Sequence, residues 1–175
     1  MPHSYQTEQW RELFVLLGSS ATALLGLLFV VLTIHLHTVK QDADFRLRAR
    51  NNAYHLLNVF VVSALALAPQ PAVFFGIAVA LVSLYGLRLP IRVSWYLYRQ
   101  DKAIRESKPF WIGAVVTISL AYSLGIAGGT ALMTASYWGL PLVAASCVLL
   151  MIRTVLNSWA LMFGPDPASA PIKLE

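Results

Sequence analysis

The chain has few charged residues: only 12% of its 175 residues are Asp, Glu, Lys or Arg, against 58% that are hydrophobic. Soluble globular domains carry roughly 25% charged and about 45–50% apolar residues, so this composition excludes an ordinary soluble domain. It also excludes intrinsic disorder, which requires low hydrophobicity and high net charge. The class that remains is an integral membrane protein.

Cysteine is nearly absent as well. Cys147 is the single one, which excludes an intrachain disulfide and any metal or iron–sulfur site built from several cysteines. The net charge of +5 would suit nucleic acid, but this composition leaves no soluble domain that could read bases. In a membrane protein, basic residues face the anionic headgroups of the bilayer. We therefore expect anionic lipid, and no nucleic acid, as the acidic partner.

Five apolar runs approach the length of about 20 residues that a helix needs to cross the hydrocarbon core. None of them contains an acidic side chain. The sequence thus predicts an all-α fold, an integral membrane bundle of five transmembrane helices in a single domain, residues 1–164, followed by a disordered tail, residues 165–175. The predicted spans are about 13–34, 53–68, 72–87, 110–133 and 140–163. The second is short unless the approach from Asp44 is also helical.

Charge alternates between the connections. Residues 40–50 carry a net charge of +2 and residues 88–108 a net charge of +4, whereas the turns 69–71 and 134–139 carry none. The positive-inside rule places both basic connections in the cytoplasm. We therefore expect a multi-pass protein of the bacterial inner membrane with its N-terminus outside and its C-terminus inside. The first run exceeds the hydrophobic core of a signal peptide and lacks a basic segment before it, so we expect it to be retained.

Residues 90–108 are predicted to form a basic interfacial helix on the inner leaflet, because Ile91, Trp95 and Tyr98 recur at helical spacing beside arginines. The alternative is that this segment continues the third span through a kink at Pro90. The expected contacts to lipid headgroups come from Arg88, Arg92, Arg99, Lys102 and Arg105.

Small residues recur every four positions in several runs. Residues four apart share one face of a helix, and small side chains there let another helix approach closely. We expect these faces to pack helices within the chain, with a subunit interface as the alternative. The faces consist of Gly18, Thr22 and Gly26 in the first run, Ala72, Gly76 and Ala80 in the third, and Gly113, Thr117, Ala121, Gly125 and Gly129 in the fourth.

Arg153 is the one charged residue expected deep in a span, roughly 18 Å from the outer boundary and 10 Å from the inner one. Ser146, Arg153 and Asn157 lie at offsets of seven and four, on one face of the fifth helix. Together with Asn58 they form a predicted polar pathway, since charge at depth marks a functional site. The alternative is that Arg153 extends its side chain to the cytoplasmic phosphates.

Histidine and carboxylate chemistry is sparse. His35 and His37 end the first run and His55 begins the second, so all three are expected at the inner membrane edge as interfacial polar residues. A haem held between helices by two of them is the alternative. No His-Glu-x-x-His motif and no intramembrane carboxylate occur, so we expect no enzyme, no cofactor and no metal.

Two stretches resemble a known family. The run WRELFVLLGSSATALLGLLFVVLTIHL at residues 10–36 is similar to the first helix of a family of small, uncharacterised bacterial polytopic membrane proteins. The run RTVLNSWALMFG at residues 153–164 resembles their last helix, which tends to carry Asn-x-Trp-x-Leu. Some relatives are labelled modulators of a membrane protease. The resemblance implies no catalytic residue, and no site is carried over from it.

Two functions follow as hypotheses. The first is a homo-oligomer with a permeation path for an anion or a small solute, because a bundle of five helices leaves little internal room and Arg153 favours anions. The second is an accessory or regulatory subunit of another membrane complex, such as a membrane protease, because catalytic residues are absent.

Overall fold

A computed structural model of the chain describes residues 7–100 and 108–163. All regular structure in those residues is helical, and no strand occurs among them, which confirms the predicted all-α class. The helices are α1 (Thr7–Ile34), the short α2 (Leu36–Gln41), α3 (Ala43–Leu67), α4 (Ala72–Gln100), α5 (Lys108–Met133) and α6 (Gly139–Phe163).

Three stretches of helix in the described residues are long and apolar enough to cross a bilayer: Gln9–Ile34, Val115–Met133 and Gly139–Trp159. A fourth stretch, Ala72–Arg88, is apolar but shorter. The helices agree with a membrane-embedded protein. Of the five predicted spans, three are confirmed as candidates by length and composition, and the second and third are not.

Two helices extend beyond the predicted apolar runs. α3 begins at Ala43, so the charged approach to the second run is helical. Asp42 starts this helix, because its side-chain oxygen accepts a hydrogen bond of 3.1 Å from the backbone N–H of Phe45. The helix thereby carries its polar residues directly into the bundle.

α4 continues through Pro90 to Gln100, so the prediction of a separate interfacial helix beginning at residue 90 is wrong. The alternative, continuation of the third apolar helix, is what the structure shows. Pro90 removes one backbone donor and places its ring against the preceding turn, and the helix nevertheless continues through it. The rest of the predicted interfacial segment, residues 101–107, and the predicted tail, residues 165–175, lie outside the described residues.

The long helices pack as antiparallel neighbours. α1 lies along α3, α4 along α5 and α5 along α6, while α3 also contacts α4 and α6. Their core is formed by large buried side chains, which include Phe14, Leu56, Phe75, Tyr122 and Leu150. α3 is therefore the helix that faces most of the others, and it positions the site.

Candidate functional site

α3 contributes most of the buried polar side chains. Five of the eight in the described residues belong to it, and the others come from α4 and α6. Buried polar groups need partners because removing them from water costs free energy. The eight are Asn51, Asn52, His55, Asn58, Ser63, Ser83, Ser146 and Thr154.

His55 lies at the centre of this set, with 2% of its surface exposed. Asn51 Nδ2 lies 3.1 Å from His55 Nε2, and His55 Nδ1 lies 2.8 Å from the hydroxyl oxygen of Tyr122. An amide NH₂ can only donate, so in this arrangement Nε2 accepts and the neutral imidazole carries its proton on Nδ1. Nδ1 then donates to the Tyr122 oxygen, and the phenolic hydrogen remains for another acceptor.

Gly86 makes room for this contact. A Cβ atom built on Gly86 would overlap the ring of Tyr122, lying 2.6 Å from its Cζ. Any other residue at position 86 would therefore displace the ring that binds His55. The hydrogen bond between α3 and α5 depends on a missing side chain in α4.

A neighbouring face of α3 is joined to α6. Asn157 Nδ2 donates to Asn52 Oδ1 at 2.6 Å, and Asn52 Nδ2 donates to the Ser158 hydroxyl at 3.2 Å. Arg153 lies one turn before Asn157 on α6 and is half-buried. We call these side chains the polar layer: Asn51, Asn52, His55, Tyr122, Arg153, Asn157 and Ser158.

The polar layer lies near mid-height of the bundle. His55 precedes the last residue of α3, Leu67, by a distance of roughly 18 Å at 1.5 Å per residue. His35 and His37 are exposed just after the end of α1, whereas His55 is buried, so the three histidines do not share one environment. Their position at the inner membrane edge stays a prediction.

A cleft of about 190 Å³ lies beside His55, between α3 and α4. Tyr54 and Tyr85 are 39% and 64% exposed at its mouth, so it opens onto the side of the bundle. None of its lining residues is charged. The polar side chains among its lining residues include Asn51, His55, Asn58, Tyr85 and Tyr122, and Gly86 also lines it.

The four residues of the predicted pathway lie in different surroundings. Asn157 and Arg153 belong to the polar layer, whereas Asn58 donates a long hydrogen bond of 3.4 Å to the Val82 carbonyl and borders the cleft. Ser146 is buried next to Gly125, where a Cβ would lie 3.1 Å from its hydroxyl. The structure thus brings only two of the four into the polar layer.

The small residues divide into packed and open positions. Gly129 lies against the α4 backbone, where a Cβ would be 2.7 Å from the Gly76 carbonyl and 2.9 Å from the Ala80 nitrogen. Gly125 lies against Ser83, and Gly18 against Ser63. These positions pack helices within the chain.

The remaining positions are mostly open. A Cβ on Gly26 or Gly113 would meet nothing within 4 Å. Thr22 and Thr117 bond the carbonyls of Gly18 and Gly113 in their own helices, at 2.9 and 2.7 Å, whereas Ala121 is buried. Each predicted face therefore has some positions packed against another helix of the chain and others with open space beside them.

The predicted headgroup contacts are described only in part. Arg88 and Arg92 are exposed on α4. The side chain of Arg99 and the whole of Lys102 and Arg105 lie outside the described residues.

Sequence reasoning missed Asn51, Asn52 and Tyr122. The signal for the first was available: Asn51, His55 and Asn58 follow one another at offsets of four and three, on one face of a helix. In the described part of the chain no three His, Cys, Asp or Glu side chains come together. The site thus offers hydrogen bonds and one positive charge.

Comparison with family models, with curated proteins and with solved structures finds no match to this chain.

Proposed function

We propose that this chain is a multi-pass, non-enzymatic protein of a bacterial inner membrane that passes a small anion or polar solute through the inside of its helix bundle. The polar layer is the observation that carries this proposal. Its seven side chains come from α3, α5 and α6 and are mostly buried, whereas the outward faces carry large exposed apolar residues. Polar groups turned inward favour a path within one chain over a pore at the axis of a homo-oligomer.

We propose five crossings, and the packing of the helices supports them. Gly18 of α1 meets Ser63 of α3, and Asn52 of α3 meets Ser158 of α6, so α3 runs alongside two helices that qualify as spans. A Cβ on Gly76 would lie 3.0 Å from Met133, which brings the beginning of α4 to the end of α5. The uncharged turns 69–71 and 134–138 then share one face, which the positive-inside rule makes the outer one.

Arg153 gives the path its selectivity in this proposal. A positive charge at mid-depth attracts anions and repels cations, and the amide donors of Asn52 and Asn157 replace part of an anion's hydration shell. Because Arg153 is the only charged residue of the polar layer, its substitution isolates the electrostatic contribution.

Reconstituted liposomes test the proposal. Chloride flux and glycerol permeation are measured for the native chain, for Arg153→Gln and for Arg153→Lys. We expect Arg153→Gln to lower chloride flux about tenfold, which corresponds to ~1.4 kcal/mol of barrier. Arg153→Lys should retain most of the flux, because it retains the charge. The matched control is Arg92→Gln, which removes an exposed arginine from α4.

Two results would overturn the proposal: chloride and glycerol permeation no faster than in empty liposomes, or equal chloride flux in native protein and Arg153→Gln. Circular dichroism and the elution volume of each purified variant show whether its fold is retained. If Arg153→Gln does not fold, Asn157→Leu is used instead, because it alters the polar layer without removing a charged side chain.

A second candidate function is an accessory subunit of another membrane complex. Gly26 on α1 and Gly113 on α5 favour it, because both lie open at positions where a neighbouring helix could approach. It predicts a partner that co-purifies in mild detergent and is lost with Gly26→Leu. If both Gly26→Leu and Gly113→Leu still co-purify with the partner, Gly26 and Gly113 are not its contact sites.

A further inference from the structure

The described helices fall into two groups along the chain. α1, α2 and α3 end at Leu67, and α4, α5 and α6 begin at Ala72. We call α1 to α3 the first unit and α4 to α6 the second unit. The turn 68–71, which contains Pro69 and Pro71, connects them. Because the chain passes from one unit to the other only there, the two units are tied together covalently at one end of the bundle.

Close backbone contacts hold the helices of each unit together. In the second unit, Gly129 lies against the α4 backbone, and a Cβ on Gly128 would lie 2.9 Å from the Val143 nitrogen of α6. In the first unit, Gly18 of α1 lies against Ser63 of α3. No glycine among the described residues has its nearest neighbours in the other unit. Since glycine contacts of this kind give the closest helix packing in a membrane, we expect each unit to move as a body.

Polar side chains, in contrast, join the two units. α3 takes part in four hydrogen bonds that cross the boundary between them. A single hydrogen bond contributes little net stability, because each of its groups can exchange its partner for water. The boundary can therefore open if water or a polar solute enters it. The four bonds are His55 to Tyr122, Asn157 to Asn52, Asn52 to Ser158, and Asn58 to the Val82 carbonyl.

Two spaces lie along the same boundary. One is the cleft of about 190 Å³ between α3 and α4, which His55 helps to line. The other is a groove of about 180 Å³ that α1 and α3 form with α6, and Ser158 helps to line it. The polar layer thus lies between the two spaces. Because van der Waals contacts are missing where the spaces are, fewer contacts are lost when the units separate there.

The polar layer is closed to water in this structure. Asn52 has no exposed surface and His55 has 2%, so a solute reaches these side chains only after the helices around them have moved. We propose that the two units swing apart about the turn 68–71, and that the hydrogen bonds of Asn52 to α6 and of His55 to α5 are the gate that this motion opens.

The position of the turn gives the gate a direction. The turn lies at the uncharged end of the bundle, roughly 18 Å from His55 along α3, so the separation is widest at the opposite end, where Arg88 and Arg92 are exposed. Basic residues at that opening attract anions. The role of a gate rests on the proposed function, whereas the motion itself can be measured without any solute.

A reversible tether across the boundary tests the gate. Leu27 of α1 and Val155 of α6 both line the groove and are exposed. In a Cys147→Ala background, a bis-methanethiosulfonate linker joins Leu27→Cys to Val155→Cys. We expect the tethered protein in liposomes to conduct chloride about tenfold more slowly, because the open state is populated less, and to recover when dithiothreitol cleaves the linker.

The matched control places the same linker in the same groove but within the first unit. Val31→Cys and Phe45→Cys both line the groove, from α1 and α3, and tethering them should leave chloride flux unchanged. Mass spectrometry of the whole protein shows that each tether has formed. Equal flux with and without the tether from Leu27 to Val155 would overturn the gate, whereas absence of flux before tethering would overturn the proposed function instead.

Distances between spin labels test the motion separately. Thr33→Cys with Arg88→Cys spans the two units, and Arg88→Cys with Val116→Cys lies within the second unit; all three positions are exposed. Pulsed electron paramagnetic resonance of the labelled chain in lipid nanodiscs should give two distances for the first pair and one for the second. A single distance for both pairs would overturn the hinge, whether or not chloride flux is observed.

Discussion

At the scale of single residues, the site depends on what is missing at position 86. Tyr122 reaches His55 across the face of α4 because Gly86 has no side chain, and its ring occupies the space of the missing Cβ. The resulting hydrogen bond of 2.8 Å joins α3 to α5. His55 would otherwise bury an unpaired N–H group, which costs about 1–3 kcal/mol.

We predict that Gly86→Ala lowers the free energy of unfolding by about 1–2 kcal/mol. Overpacking of Tyr122 and loss of its bond to His55 outweigh the roughly 1 kcal/mol that alanine gains in a helix. Denaturation in mixed micelles, followed by circular dichroism, measures the change. Gly26→Ala is the control: open space surrounds that position, so its stability should stay the same or rise. Equal stability of both variants would contradict the role assigned to Gly86.

Not all of these residues could be found from sequence. Arg153 and Asn157 stand out because charge and amide groups are rare in an apolar run. Asn51, Asn52 and His55 do not, since they follow a stretch of charged residues that reads as a loop. Tyr122 has no local signal at all: its partner lies 67 positions away, and only the packing of α3, α4 and α5 brings the two together.

At the scale of helices, the apolar runs predict most boundaries. The ends at Ile34, Leu67, Met133 and Phe163 agree within a residue with the predicted spans, because glycine, proline and charge follow the runs. The missed extensions have a physical reason. Asp42 caps a helix whose first turns are charged, and α4 passes through Pro90 at the loss of one donor. Hydropathy measures burial in lipid, whereas the first turns of α3 are charged and the extension of α4 mixes arginines with apolar residues.

The contact between α4 and α5 gives a prediction at this scale. Around Gly129 the two helices approach backbone to backbone, and backbone atoms cannot rotate away. Gly129→Ala should therefore force the helices apart and lower stability by about 3 kcal/mol, the upper end of the cost of overpacking. Gly113→Ala makes the same change in the same helix at an open position. The midpoints of thermal unfolding in detergent compare the two, and a decrease for Gly113→Ala as large as that for Gly129→Ala would contradict this packing.

At the scale of the whole molecule, helix direction and charge agree. Antiparallel packing brings the uncharged turns 69–71 and 134–138 to one end, and the charged residues around α2 and the exposed Arg88 and Arg92 to the other. Hydropathy alone identifies three candidate spans in the described residues, because α3 carries charged and amide side chains in its first half and the apolar stretch of α4 is shorter. In a bilayer such groups are tolerated when they face other helices rather than lipid.

Labelling of single cysteines distinguishes five crossings from three. In a Cys147→Ala background, an impermeant maleimide added outside intact spheroplasts should label Ala68→Cys and Thr134→Cys, both exposed, and spare Arg92→Cys. With three crossings, the hairpin of α3 and α4 would stay on the inner side: Thr134→Cys would still react and Arg92→Cys would not, but Ala68→Cys would be protected until the membrane is opened with detergent. Position 68 alone changes between the two topologies. We expect it to react, because the contact of Gly18 with Ser63 places the end of α3 beside the beginning of α1. A helix packed along a spanning helix in this way crosses the membrane with it.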